Sequence, residues 1–232
     1  NYYDIISMSY LFLSCTEIEK ELSNKKQINN REINLFIQKQ KDWIGSVTRI
    51  HITDEKGQVQ FADHDMDGQR SNYANFSFFK EAQQKSTDQL FVTKLIRDPN
   101  GQGWVHLFAR RYNQGDGTFA GMIITALPAS YFNHLIAELD VGPKGVVLVQ
   151  DLDMRVIARN PMLKTPNGKV GFVGGPPELS QLVHSGAQSG TIYTRRTTDK
   201  IPRIGNFRKL SSMPIFVVVA FAEEDYLAQW YE

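Results

Sequence analysis

Apolar and polar positions change period several times along this chain. From residue 2 to about 23, no Gly or Pro intervenes and apolar residues recur at helical spacing in two rows. Tyr3, Ile6, Tyr10 and Leu13 form one row; Ile5, Met8, Phe12, Cys15 and Leu22 form the other. A helix with two apolar faces must bury both, so the pattern predicts a long helical segment over 1–41, with one face left for a second copy. The period then shortens. Ile50 to Ala62 reads as strand, turn at Glu55-Lys56-Gly57, strand, and Phe76 to Gln84 as a short aromatic-rich helix. Phe91–Ile96, Trp104–Tyr112 and Phe119–Leu127 follow as strands, joined by Asp98-Pro99-Asn100-Gly101 and Gln114-Gly115-Asp116-Gly117. Tyr131 to Leu139 returns to helical spacing.

The pattern then repeats. Val147 to Ala158 copies Ile50 to Ala62, with an Asp closing the first strand (Asp54, Asp151) and a Val five residues on (Val59, Val156). Strands are expected at 146–150, 156–159, 191–197, 203–209 and 215–221, with a helix from Glu178 to His184 opened by Pro176-Pro177, and a last helix from Glu223 to Trp230. Each copy has about five antiparallel strands with helix and loop on one face. That predicts an α+β fold of two PAS-like modules, 42–139 and 140–232, behind the N-terminal helix.

Composition changes this picture little. The chain has 232 residues, 41% hydrophobic and 22% charged, with net charge +1. No basic stripe interleaved with aromatics suggests nucleic acid. Nothing approaches the roughly 18 consecutive apolar residues of a membrane-spanning helix. The start at Asn1-Tyr2-Tyr3 reads as an excised fragment. Cys15 is the single cysteine, which excludes an intrachain disulfide.

The segments "ITDEKGQVQFAD", "SFFKEA", "VHLFARRYNQGDGTFAGMIITALPASYF", "VVLVQDLDMRVIARNP" and "GNFRKLSSMPIFVVVAF", in this order, resemble the double Cache (tandem PAS-like) sensor domains. The Arg159-Asn160-Pro161 step is most similar to the diguanylate cyclase branch. The resemblance implies a periplasmic sensor between two membrane helices, a small-molecule ligand in the membrane-distal first module and a cytoplasmic output domain; the two apolar faces of the N-terminal segment add a homodimer. It also implies, for the amino-acid-binding subset, an Arg-x-Trp-Tyr helix start and an Asp late in the last strand. Phe76, Ser77, Phe78, Phe79 and Ala126 stand there instead. A zwitterionic amino acid would leave its charges unpaired, so a small anionic or flat polar ligand is expected.

Alternation along Trp104–Tyr112 offers two candidate faces. Val105, Leu107, Ala109 and Arg111 read as core against the long helix. Trp104, His106, Phe108, Arg110 and Tyr112, with Tyr73 and Phe79 from the overlying segment and Thr125, read as the ligand wall, with Arg110 as charge partner. Asp63-His64-Asp65-Met66-Asp67-Gly68 imitates the start of an EF-hand loop, but Ala74 stands where the closing Glu is required, and the loop reads as solvated. The five histidines lack metal-ligand spacing, no Gly-x-Ser-x-Gly elbow occurs, and Gly171 to Pro177 lacks the Lys of a phosphate loop. The expectation is a non-enzymatic sensor without cofactor or metal. The alternatives are a dimerisation or protein-contact module without ligand, or the sensor of a histidine kinase or chemoreceptor.

Overall fold

A computed structural model describes residues 49–62, 71–85, 89–99, 103–195 and 197–228. The expected N-terminal helix and the acidic loop 63–68 lie outside those residues. The described chain divides into two compact units, the break falling at Leu127/Pro128, with Lys94–Arg97 grouped with the second.

The first unit holds β1 (Arg49–Thr53), β2 (Val59–Ala62), α1 (Ser77–Gln84), β3 (Leu90–Val92), β5 (Trp104–Asn113) and most of β6 (Phe119–Pro128). The short β4 (Ile96–Arg97) falls in the segment grouped with the second unit. Strand order in the first sheet is β2-β1-β6-β5-β3, all neighbours antiparallel where the register is defined. Ile50, Ile52, Leu107, Phe108 and Met122 are fully buried at its centre.

The second unit holds α2 (Ala129–Ala137), β7 (Val146–Asp151), β8 (Val156–Asn160), α3 (Pro177–His184), β9 (Ser189–Thr194), β10 (Arg203–Lys209), β11 (Ile215–Ala222) and α4 (Glu223–Ala228). Its sheet runs β8-β7-β11-β10-β9. Pro177 at the first turn suits α3 because that amide has no helical partner. Gly186, at φ +87°, ends the helix in a conformation that costs glycine nothing. Leu179 and Val183 then bury against Phe207, Phe216 and Val218. The sequence placed residues 128–139 at the end of the first module. In the structure α2 packs with β8 instead, where Asn160 Nδ2 donates to the carbonyl of Ile136 at 3.1 Å.

The internal repeat is reproduced bond for bond at the two hairpins. Asp54 Oδ1 accepts the amides of Lys56 (3.0 Å) and Gln58 (2.9 Å). Asp151 Oδ1 accepts those of Asp153 (3.0 Å) and Arg155 (2.8 Å). The third residue after each Asp is left-handed: Gly57 at φ +79° and Met154 at +63°. Gly57 has a second constraint, because a Cβ there would lie 2.5 Å from the amide nitrogen of Ala74. Met154 accepts the backbone cost in exchange for burial in the second core.

Candidate functional site

The segment entering α1 crosses the first sheet on a chain of rings. Tyr73 is fully buried, and its hydroxyl meets His51 Nδ1 at 2.8 Å. Ring centroids then follow at 5.5 Å (Tyr73–Phe76), 5.3 Å (Phe76–Phe78) and 6.5 Å (Phe78–Phe91). Phe79 turns to Phe119, edge to face at 5.5 Å. These spacings fall in the favourable range for aromatic pairs, so α1 is fixed to the sheet along its first turn. Its far end is held by Arg111. That guanidinium donates to the carbonyls of Ala82 (2.9 Å) and Lys85, to Asn113 Oδ1, and lies 5.3 Å over the Phe119 ring. A cation on the last helical carbonyls answers both their unmet acceptors and the helix dipole.

These contacts decide which face of β5 lies beneath α1. Arg111 touches α1, and Phe91, which packs on Phe78, pairs with Ala109. By strand alternation, Val105, Leu107, Ala109 and Arg111 face α1, whereas Trp104, His106, Phe108, Arg110 and Tyr112 face the other way. The sequence reading had assigned these faces in the opposite sense. Tyr73 and Phe79 are on the α1 side. Thr125 pairs with Ile50 and shares its face, opposite the face that His51 presents to Tyr73.

The expected wall residues nevertheless have definite roles. His106 is buried and its Nδ1 lies 2.9 Å from the carbonyl of Thr93. Burial lowers its pKa, only partly opposed by that carbonyl, so the ring stays neutral. The Tyr112 hydroxyl donates to the carbonyl of Thr53 at 2.8 Å. Burial, with the charges of Asp54 and Glu55, pushes its pKa up to about 12. Phe108 and Arg110 are buried, and Trp104 is half-buried at the start of the strand.

Two residues that sequence reasoning passed over share the α1 face. Arg49 and His51 alternate on β1 and pair with Ala126 and Ile124. Among the described residues Arg49 Nη1 is buried without a hydrogen-bond partner. A buried guanidinium nitrogen left unpaired is costly, and by strand alternation Arg49 shares the face of His51, which meets Tyr73. Ala126, where the amino-acid-binding pattern has Asp, lies beside Arg49. The signal that could have found Arg49 is its place opposite Ala126, visible only once β1 and β6 are in register.

No protein-family model and no curated protein matches this sequence. Solved structures do. The extracellular domain assigned to the histidine kinase rpHK1S-Z16 matches with a TM-score of 0.78 at 20% identity, covering 97% of this chain and 90% of that one. The ligand-binding domain of the Campylobacter jejuni chemoreceptor Tlp3, in complex with L-norvaline, matches at 0.64 and 14%, over 96% and 85%. The periplasmic sensory domain of Campylobacter jejuni Tlp1 matches at 0.67 and 12%, over 97% and 96%. The chain therefore has the two-sheet fold of extracellular and periplasmic sensor domains.

Proposed function

We propose that this chain is the extracytoplasmic ligand-sensing domain of a membrane-bound bacterial signalling protein, of the double Cache kind. The observation that carries this reading is a fold match to sensor domains that extends over both units and nearly the whole chain. The first unit takes a small anionic or flat polar molecule on the α1 side of its sheet. Arg49 supplies the charge partner there, with Tyr73, His51 and the first turn of α1 as walls. Tyr73 and Phe79 remain from the expected set. Phe76 to Phe79 and Ala126 offer no second pair of charges, which disfavours a zwitterionic amino acid, although Tlp3 structures carry such ligands.

The domain lies on the periplasmic face, anchored by membrane helices on either side, and pairs through the two apolar rows of residues 3–22. A histidine kinase or chemoreceptor output is favoured by the neighbours, and a diguanylate cyclase output by the Arg159-Asn160-Pro161 step. Binding signals only if the ligand prefers one arrangement of the domain.

The test is a thermal-shift screen with small carboxylates, flat polar heterocycles, amino acids and amines. A ligand at 100 times its Kd stabilises the domain by about 2.7 kcal/mol. The expected hit is an anion whose shift disappears in Arg49→Gln and Tyr73→Leu and persists in Arg110→Ala. Loss in Arg110→Ala alone returns the site to the opposite face. Silence across the panel sinks the ligand reading in favour of a contact module.

A further inference from the structure

In the second unit, strand register arranges the sheet face beneath α3 into rows. Leu148, Val218 and Phe207 form one row, and Leu148 pairs outward with Arg159. The next row is Val146, Ala220, Gly205 and Ile192. The third contains Ala222, Arg203 and Thr194. The middle row thus carries its two smallest residues side by side, between a row of large side chains and an arginine. Gly205 is held to that size, since a Cβ would lie 2.8 Å from the Val219 carbonyl oxygen and 2.5 Å from the Ala220 Cβ. Glycine inside a strand weakens it and often marks a close approach by another group.

A cavity of about 60 Å³ opens over this row, roofed by Leu179 and Pro176. At about 30 Å³ per water that is space for about two water-sized groups, enough for a short alkyl end. Its floor is apolar, and Thr194, Thr197, Thr198, Arg159 and Arg203 supply the polar edge. Arg159 is 8% exposed and Arg203 2%. Both already hold a carboxylate: Arg203 grips Asp199 in a two-pronged bond at 2.6 and 2.9 Å, and Arg159 adds a third contact at 2.8 Å. Two buried guanidinium charges face this single carboxylate. Glu178, which accepts from Thr194 at 3.2 Å, is a second carboxylate near the polar edge; like Asp199 it does not itself line the cavity. Among the described residues, Arg203 uses three of its N–H groups, the third on the Lys144 carbonyl, and so retains donors for another acceptor.

We propose that this cavity is a second ligand site, taking a short-chain monocarboxylate of acetate or propionate size. The carboxylate joins Asp199 on the Arg159 and Arg203 edge, and the alkyl end lies over Gly205 and Ala220. Guanidinium pairs hold carboxylates with directional, charge-assisted bonds, and the apolar floor rewards the alkyl tail. The site also touches the end of the domain. Lys144, whose carbonyl binds Arg203, gives its amide to Asp225 of α4 at 2.8 Å.

Titration calorimetry on the intact domain with propionate tests this, with propylamine and propanol as controls of equal length. Propionate alone should bind. Arg159→Gln, which leaves Asp199 on Arg203, should weaken it about tenfold or more. Ala220→Leu should abolish it by filling the floor, and Ala220→Gly should shift preference from propionate toward butyrate, so the series does not depend on one variant folding. The proposal fails if propionate does not bind, if propanol binds as well, or if the Ala220 variants leave affinity unchanged. It also fails if binding is lost only in Arg49→Gln, which would assign the carboxylate to the first unit.

Discussion

Buried His106 and half-buried Asp199 shape the acid response at the scale of single groups. His106 has a lowered pKa because it is buried, so below its ordinary value of 6.5 the unfolded chain takes up a proton that the folded one refuses. Stability present above pH 6.5 therefore declines as pH falls through the window between that value and the lower folded one. Asp199 behaves likewise further down. Its burial would raise the pKa, but the Arg203 and Arg159 guanidiniums hold it well below 3.8, so a second loss begins as pH falls past that value. Urea unfolding from pH 8 to 2 should show both limbs, with His106→Gln flattening the upper and Asp199→Asn the lower. A profile unchanged by either variant would refute the assignment. Neither limb was legible in the sequence: His106 stood there as a candidate ligand, and Asp199 is joined to Arg159 across 40 residues.

At the scale of elements, α1 is a short helix whose two ends are fastened differently. The first turn is held by rings and the last by Arg111, so Arg111→Leu should keep the aromatic packing but leave the carbonyls of Ala82 and Lys85 without their donor. A cost of about 1–3 kcal/mol is expected, read by denaturant unfolding, with faster amide exchange confined to the end of α1. An exchange increase spread evenly over the unit would count against a local role. Hairpins and helices were readable because their signals are local. Asp54, Gly57 and Val59 give a turn and a buried strand within six residues, and the same signals recur from Asp151. The face of β5 was not readable. Every residue from Val105 to Tyr112 is buried, so polarity does not distinguish the two sides, and Arg110 and Arg111 offered equal cations in adjacent positions. Only the partner on α1 decides between them.

For the whole molecule, the two-module organisation was legible as an internal repeat, while the position of α2 was not. Residues 129–137 are helical by pattern, but their partner, Asn160 on β8, follows far along the chain. The second-unit cavity was equally hidden, because Gly205 and Ala220 look ordinary until β10 and β11 are placed in register. Two apolar rows over residues 3–22 remain the argument for pairing of chains. Sedimentation velocity should show a dimer that dissociates when Ile6 and Tyr10 are both changed to Glu. A monomer at all concentrations in the parent chain would remove the pairing proposal for the isolated domain.

The row containing Gly205 and Ala220 has a consequence for how such a domain can diverge. Position 205 is closed to change by Ala220 and the Val219 carbonyl, so of the two small residues in the row only position 220 is open to substitution. Alanine reaches glycine or valine by one nucleotide substitution each. A lineage could therefore lengthen the accepted molecule or silence the second unit in one mutational step, leaving the arginine edge and the first unit untouched.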